Sequence, residues 1–179
     1  MKGKKVLIVC GSPRRNGNTS ILCDQFMKGA VEARHDVEKV LLADKKVNFC
    51  TGCGVCVRTK KCAQKDDMAA LLEKMLAADV IVLATPVYFY TMSAQLKVFI
   101  DRCAPRYTEM SGKEFYFILA AADTKRANMK RAVEALRGFT FCLEDPRERG
   151  IVYGLGAWEV GDVKAGPAMQ EAYEMGRNL

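Results

Sequence analysis

The chain has 179 residues, of which 50% are hydrophobic and 27% are charged, a balance typical of a globular protein with an ordinary core. No apolar run approaches the roughly 20 residues that a membrane span requires, so no membrane partner is expected. The net charge is +7, but Lys and Arg are scattered rather than gathered into a tail, so nucleic-acid binding is not expected either.

The chain opens with a short β-rich run at residues 5–9, which stops at Gly11-Ser12-Pro13. Basic residues precede this run, as they do in a signal peptide. The run is too short for one, however, and it leads into a turn rather than a small-residue cleavage site. The sequence therefore predicts a buried first strand and a cytoplasmic protein.

Strand-like and helix-like patterns alternate along the rest of the chain. The predicted strands are 5–9, 37–42, 80–84, 115–121 and 150–155. The predicted helices are 18–33, one that begins at Asp66-Asp67, 93–102, 129–136 and one that begins at Pro167. Five strands alternating with five helices predict an α/β fold, in which helices cover both faces of a mostly parallel sheet.

No linker, repeat or low-complexity segment interrupts this alternation, so residues 1–179 are expected to form one domain. Ligands of such sheets bind beyond the carboxyl ends of the strands. The loops that follow the predicted strands are therefore the places to look for chemistry.

The first of these loops, residues 11–20, is rich in small and hydroxyl-bearing residues, and the next helix points its positive end toward it. Ser12, Asn18, Thr19 and Ser20 offer side-chain donors, and Arg14 adds a positive charge. The loop has neither the Walker pattern nor Gly-x-Gly-x-x-Gly. It predicts a phosphate site or, alternatively, a turn followed by a helix cap at Asn18 or Thr19.

The second loop carries half of the eight cysteines, at Cys50, Cys53, Cys56 and Cys62. A cubane iron–sulfur cluster takes four thiolates, and closely spaced cysteines with intervening glycines can wrap one. Four thiolates can also hold a structural zinc, or stay free or form disulfides as redox-active thiols. The spacing leaves these three interpretations open.

The third loop follows the most apolar strand and contains Pro86, Val87, Tyr88 and Phe89, with Tyr90 directly after them. Three consecutive aromatic residues on a loop suit a flat conjugated ring. The alternative is an aromatic lid over the core or a contact between subunits. Trp158, near the last strand, is compatible with either a ring contact or a subunit contact.

Together, Gly-Ser-Pro-Arg…Gly-Asn-Thr-Ser, Thr-Pro-Val-Tyr and the later Leu-Lys…Phe-Ile-Asp-Arg segment resemble the NADPH-dependent FMN reductase family of flavodoxin-like proteins. The cysteine spacing resembles that of its iron–sulfur flavoprotein subgroup. This resemblance implies a doubly wound, three-layer, five-stranded sheet of order 2-1-3-4-5. In that order the cysteine loop emerges beside the first loop, so that a [4Fe–4S] cluster there could exchange electrons with the flavin.

The resemblance also implies roles for individual residues. The FMN phosphate would be held by Ser12, Arg14, Asn18, Thr19 and Ser20. The isoalloxazine ring would be lined by Pro86, Val87, Tyr88 and Phe89. The family's third contact is a turn after strand four, where residues 121–124 of this chain depart from the usual Thr/Gly pattern.

The resulting expectation is an NAD(P)H-dependent FMN oxidoreductase that acts on a flavin, a quinone or another small acceptor. Flavin carries the chemistry, so no catalytic acid or base is assigned. The alternatives are a non-catalytic electron carrier and a flavin-free thiol or metal-binding module. The resemblance further implies a homodimer or homotetramer and is compatible with a ferredoxin-type redox partner.

Overall fold

A computed structural model describes residues 3–179, so the first two residues of the expected 1–179 domain lie outside the described part. Its strands are β1 (Lys5–Cys10), β2 (Asp36–Leu41), β3 (Val80–Pro86), β4 (Glu114–Ala120) and β5 (Arg147–Gly154). All neighbouring strands are parallel, and their order is β2-β1-β3-β4-β5. The predicted fold class and strand order are confirmed.

Helices cover both faces of this sheet. They are α1 (Asn18–Glu32), α2 (Val55–Thr59), α3 (Met68–Ala77), α4 (Ala94–Asp101), α5 (Lys130–Thr140) and α6 (Ala168–Arg177). Side chains alternate along β1, so Val6, Ile8 and Cys10 pack with α1 and α6. Leu7 and Val9 pack on the opposite face, with α3, α4 and α5. Within the described residues, no helix combines the length and apolar character needed to cross a membrane.

The predicted elements differ from the observed ones in two ways that have clear causes. Helix α2 was not predicted, because its five residues include no buried side chain and so leave no apolar period to detect. Strand β5 begins at Arg147 rather than at 150: its first three residues are charged and exposed, yet Arg147 and Glu148 pair with β4. Charged, exposed residues at the start of an edge strand lack the apolar pattern from which a strand is predicted.

Helices α1 and α6 approach each other closely at two glycines. A Cβ added at Gly29 would overlap the carbonyl oxygen of Tyr173, and one at Gly176 would overlap that of Phe26. Both glycines therefore allow backbone to lie against backbone. This contact holds α6, the last element of the chain, onto the helix that begins at the first loop.

Glu114, at the start of β4, is predicted to stabilise the fold in a pH-dependent way. Its carboxylate lies 2.7 Å from Lys4 Nζ and 2.8 Å from Arg149 Nη2. Partial burial raises the pKa of Glu114, but hydrogen bonds from Lys4 and Arg149 outweigh burial and leave the pKa below its ordinary value. Such a group stabilises the folded state above the carboxyl pKa of the unfolded chain, and the contribution is lost as pH falls through the lower folded pKa.

We therefore expect Glu114→Gln to lower the free energy of unfolding by about 1 kcal/mol at pH 7. The difference from wild type should shrink as the pH falls below about 4. Urea unfolding at several pH values measures both quantities. A difference that stayed constant down to pH 3 would rule out this ionic contribution.

Candidate functional site

A cavity of about 600 Å³ opens at the carboxyl ends of β1, β3, β4 and β5, a volume within the roughly 300–1,000 Å³ typical of ligand sites. Its lining residues come from all four following loops: Ser12, Arg14, Gly17, Asn18, Thr19, Pro86, Val87, Tyr88, Phe89, Ala120, Ala122, Ala157, Trp158 and Glu159. The structure thus brings together every residue predicted for the phosphate and ring sites except Ser20.

The side chain of Ser20 faces away from this cavity. Ser20 is buried in the first turn of α1, and its Oγ accepts a hydrogen bond of 3.0 Å from Lys39 Nζ. Lys39 lies on β2, where it also forms an ion pair with Asp24. The Ser20 hydroxyl therefore links α1 to the sheet.

The start of α1 is open toward the cavity. The N-cap position is Gly17, and no side chain accepts a hydrogen bond from the first turn. The alternative of a cap formed by Asn18 or Thr19 is therefore not what the structure shows. A Cβ on Gly17 would lie 3.0 Å from Arg14 Cβ, so glycine keeps the turn tight. N–H groups without intrahelical acceptors and the positive end of the helix dipole suit a bound phosphate.

Asn18 has a further role that the sequence did not reveal. Its Nδ2 donates to the carbonyl of Glu159 at 2.8 Å, and its Oδ1 accepts from the N–H of Gly161 at 2.8 Å. Both ends of the amide therefore hold the loop that follows β5. That loop places Trp158, the only tryptophan of the chain, on the rim of the cavity with 72% of its surface exposed.

The aromatic loop after β3 forms a tight turn. The backbone N–H groups of Tyr88 and Thr91 each donate to the carbonyl of the other at 3.0 Å. Between them, Phe89 and Tyr90 have positive φ angles of 48° and 61°. Side chains other than glycine adopt this conformation at a cost of roughly 1–2 kcal/mol per residue. Such strain is common at functional sites, where the surrounding structure holds it in place.

The loop after β4 takes part in the site despite its unusual sequence. Ala122 lines the cavity, and the carbonyl of Ala121 accepts a hydrogen bond of 2.7 Å from the N–H of Ala157. Tyr90 Oη donates to Asp123 Oδ2 at 3.4 Å. The loops after β3, β4 and β5 are therefore joined to one another by hydrogen bonds.

Phe89→Gly should change the free energy of unfolding and the affinity for a flat ring in opposite directions. Phe89 is fully exposed, so its replacement removes little packing and relieves the positive φ. We expect the free energy of unfolding to rise by about 1 kcal/mol, because glycine adopts this conformation without the steric penalty. Loss of an aromatic wall of the cavity should at the same time weaken binding of a flat ring. Thermal unfolding and ligand titration test the two effects, and lower stability would contradict the strain argument.

The four clustered cysteines line a second cavity, of about 230 Å³. They are unbonded to one another, and Gly52 and Gly54 between them adopt positive φ angles of 66° and 70°. In the described part of the chain, no three His, Cys, Asp or Glu side chains gather closely enough to hold a single metal ion. The described residues therefore present four free thiols around one cavity and no preformed site for a single metal ion.

A buried ion pair closes the base of the cysteine loop. Arg102, just after α4, donates from Nη1 and Nη2 to the two carboxylate oxygens of Asp66, at 2.7 and 3.0 Å. The two side chains are 1% and 0% exposed. Arg102 Nη1 also donates to the carbonyl of Asn48 at 2.6 Å, and the Asn48 N–H donates to Asp66 at 3.0 Å. Both ends of the loop are thereby tied to α4.

The pKa values of this pair reflect competition between burial and pairing. Burial raises the pKa of Asp66, but hydrogen bonds from Arg102 and from the N–H groups of Asn48 and Met68 outweigh it, so the pKa is lowered. Burial lowers the pKa of Arg102, but Asp66 outweighs burial and Cys62 adds to its effect, so the pKa is raised. Both groups are therefore charged.

The sequence does not reveal this pair. Asp66 stands at the start of a predicted helix, and its Oδ1 does accept a hydrogen bond from the N–H of Met68 at 3.1 Å. A signal was nevertheless present, because Leu96, Phe99 and Arg102 are spaced by three and so share the buried face of α4. A charged residue on such a face requires a buried partner.

A third cavity, of about 770 Å³, lies between the cysteine loop and α3. Its wall contains Lys60, Lys61 and Lys65 together with apolar residues such as Leu72. None of the loops that follow β1, β3, β4 and β5 contributes to this wall, and Pro105, Arg106 and Glu109 belong to the segment between α4 and β4. The 600 Å³ cavity, by contrast, brings a helix N-terminus and aromatic side chains together.

The chain matches a known protein family. The NADPH-dependent FMN reductase family matches residues 4–144. An iron-sulfur flavoprotein of Archaeoglobus fulgidus is 43% identical to the chain over 101 residues, which cover 56% of this chain and 46% of that protein. The chain spans about half the length of the first curated relatives that it matches.

Solved structures share the fold over nearly the whole chain. NAD(P)H:quinone oxidoreductase from Methanothermobacter marburgensis has a TM-score of 0.73 at 16% identity, covering 98% of this chain and 96% of that one. An FMN-dependent NADH-azoreductase of Bacillus anthracis, solved in complex with FMN, has a TM-score of 0.72 at 17% identity, covering 98% of each chain. At these identities the likeness shows the fold. The family match includes the first loop, the cysteine loop and the aromatic turn, and it shows that the chain belongs to the NADPH-dependent FMN reductase family.

Proposed function

We propose that residues 1–179 form one FMN-binding domain and that FMN occupies the 600 Å³ cavity. Its phosphate would lie at the open start of α1, near Ser12, Arg14 and Thr19, and its ring beside residues 86–89. The observation that carries this proposal is that an uncapped helix N-terminus and a strained aromatic turn face one cavity. Membership of the family supports it.

We further propose that the protein is an NAD(P)H-dependent oxidoreductase that passes electrons to a flavin, a quinone or another small acceptor. FMN supplies the hydride and electron chemistry, so the chain itself needs only to bind the ring, orient it and leave one face accessible. The names of the quinone oxidoreductase and azoreductase that share the fold support this reaction class. No acid or base of this chain is assigned to catalysis.

Cys50, Cys53, Cys56 and Cys62 are proposed to hold a [4Fe–4S] cluster, which would transfer single electrons. Support comes from the shared cavity of the four thiols and from the iron-sulfur flavoprotein relatives. The flavin and cysteine cavities share no lining residue within one chain. The homodimer or homotetramer and the ferredoxin-type partner implied by the resemblance stay predictions.

Anaerobic reduction of the FMN-loaded protein by NADPH or NADH tests the proposed reaction. We expect bleaching of the flavin absorbance in a single turnover with one of the two nucleotides, followed by recovery when a quinone is added. A flavin that both nucleotides leave oxidised, but that a low-potential protein donor reduces, would favour the non-catalytic carrier instead. Iron and sulfide analysis of the same sample measures the cluster independently of this result.

A further inference from the structure

An unsatisfied polar atom lies next to the cysteine cavity. Arg102 Nε is buried and, alone among buried side-chain nitrogens and oxygens of the described residues, has no hydrogen-bond partner. The two terminal nitrogens of the same guanidinium donate three hydrogen bonds to Asp66 and the carbonyl of Asn48. Buried donors in native proteins are almost always paired, so this one requires an acceptor that completes the site.

The position of the guanidinium indicates which atom that acceptor is. Arg102 forms part of the wall of the cavity that the four cysteines line. Its end-on pairing with Asp66 fixes the planar group and leaves the Nε edge free. Of the four cysteines, Cys62 is the one that also lines the neighbouring cavity together with Asp66, the carboxylate that pairs with Arg102.

We propose that Arg102 Nε–H donates a hydrogen bond to the sulfur of Cys62, and that this bond raises the reduction potential of the cluster that Cys62 ligates. The second part rests on the proposed function. A hydrogen bond donated by a cation stabilises negative charge on sulfur. Reduction adds one electron, and therefore one more negative charge, to the cluster, so this hydrogen bond favours the reduced form. No covalent bond is made or broken by this contact. Arg102 acts through Cys62 and is a positioning residue.

Arg102→Lys tests the effect on the potential. Lysine keeps a positive charge for Asp66 but lacks the second edge of the guanidinium fork. We expect the ratio of reduced to oxidised cluster at a fixed solution potential to fall about tenfold, which is about 59 mV for a one-electron couple. A redox titration followed by electron paramagnetic resonance measures it. The matched control is Arg106→Lys, since Arg106 pairs with Glu109 and Glu73 outside the cysteine cavity and should leave the potential unchanged.

A second variant keeps the proposal testable if Arg102→Lys does not fold. Asp66→Asn/Arg102→Gln replaces the buried ion pair with a neutral pair of similar shape, which avoids an unpaired charge. It should shift the potential in the same direction as Arg102→Lys. If both variants titrate as wild type does, the proposal is overturned.

A measurement on cluster-free protein separates this inference from the proposed function. Iodoacetamide labelling at neutral pH, mapped by peptide mass spectrometry, reports each thiol by itself, and thiolate character raises the rate. Arg102→Lys should slow labelling of Cys62 several-fold and leave Cys50 unchanged. If the wild type binds no iron or sulfide, the cluster proposal fails while this selective effect still supports the hydrogen bond. Equal labelling of Cys62 in both proteins would refute the hydrogen bond itself.

Discussion

Asp66→Ala should lower the free energy of unfolding by about 3–5 kcal/mol, the cost of leaving a buried charge without its partner. The Arg102 guanidinium is 1% exposed and would keep only the carbonyl of Asn48 as an acceptor. The variant would also lose the hydrogen bonds that Asp66 accepts from Asn48 and Met68. Chemical denaturation followed by circular dichroism measures the loss.

The neighbouring Asp67→Ala is the matched control for that prediction. Asp67 is exposed, and its carboxylate accepts one hydrogen bond, of 2.7 Å from the N–H of Lys46. Its removal should cost about 1 kcal/mol or less. Equal losses in the two variants would show that the buried ion pair does not hold the base of the cysteine loop.

Gly29→Ala is the second change with a large expected effect. The added methyl group would overlap the carbonyl oxygen of Tyr173, which belongs to the backbone of α6 and cannot rotate away. We expect a loss of about 3 kcal/mol or more in the free energy of unfolding, at the upper end of the usual cost of overpacking. Early release of α6 on heating should accompany the loss and can be followed by hydrogen exchange of residues 168–177.

Gly138→Ala is the matched control for Gly29→Ala, because the same substitution is expected not to lower the free energy of unfolding there. Gly138 lies within α5, and a Cβ there would meet nothing within 4 Å. Alanine favours helix over glycine by roughly 0.5–1 kcal/mol, so this variant should be as stable as wild type or slightly more stable. A destabilised Gly138→Ala, or an unaffected Gly29→Ala, would contradict the packing described for the two helices.

Most of the fold could be predicted because β1, β3 and β4 are apolar over nearly their whole length. Residues 80–84 are buried on both faces, as a central parallel strand requires, and the turn after Val9 marks the first loop clearly. The order of the strands came from the resemblance to a known family rather than from periodicity. Helix α2 and the first residues of β5 were missed because their side chains are exposed.

The site was predicted less completely, because contacts between distant loops leave little trace in a sequence. Candidate phosphate and ring residues could be named because they lie in loops of distinctive composition, and all of them except Ser20 line one cavity. The hydrogen bonds of Asn18 to Glu159 and Gly161 join residues more than 140 positions apart. The orientation of Ser20 toward Lys39 and the pairing of Asp66 with Arg102 likewise depend on how the elements pack.

The most direct test of the proposed site is a titration of the FMN-free protein with FMN, followed by the fluorescence of Trp158. As the chain's only tryptophan and part of the cavity wall, Trp158 reports occupancy of this cavity. We expect saturable quenching by FMN, an apparent Kd about tenfold higher in Thr19→Val because a donor to the phosphate is lost, and no change in Lys60→Ala at the other cavity. Flavin that bound without quenching Trp158, with equal affinity for wild type and Thr19→Val, would contradict the account.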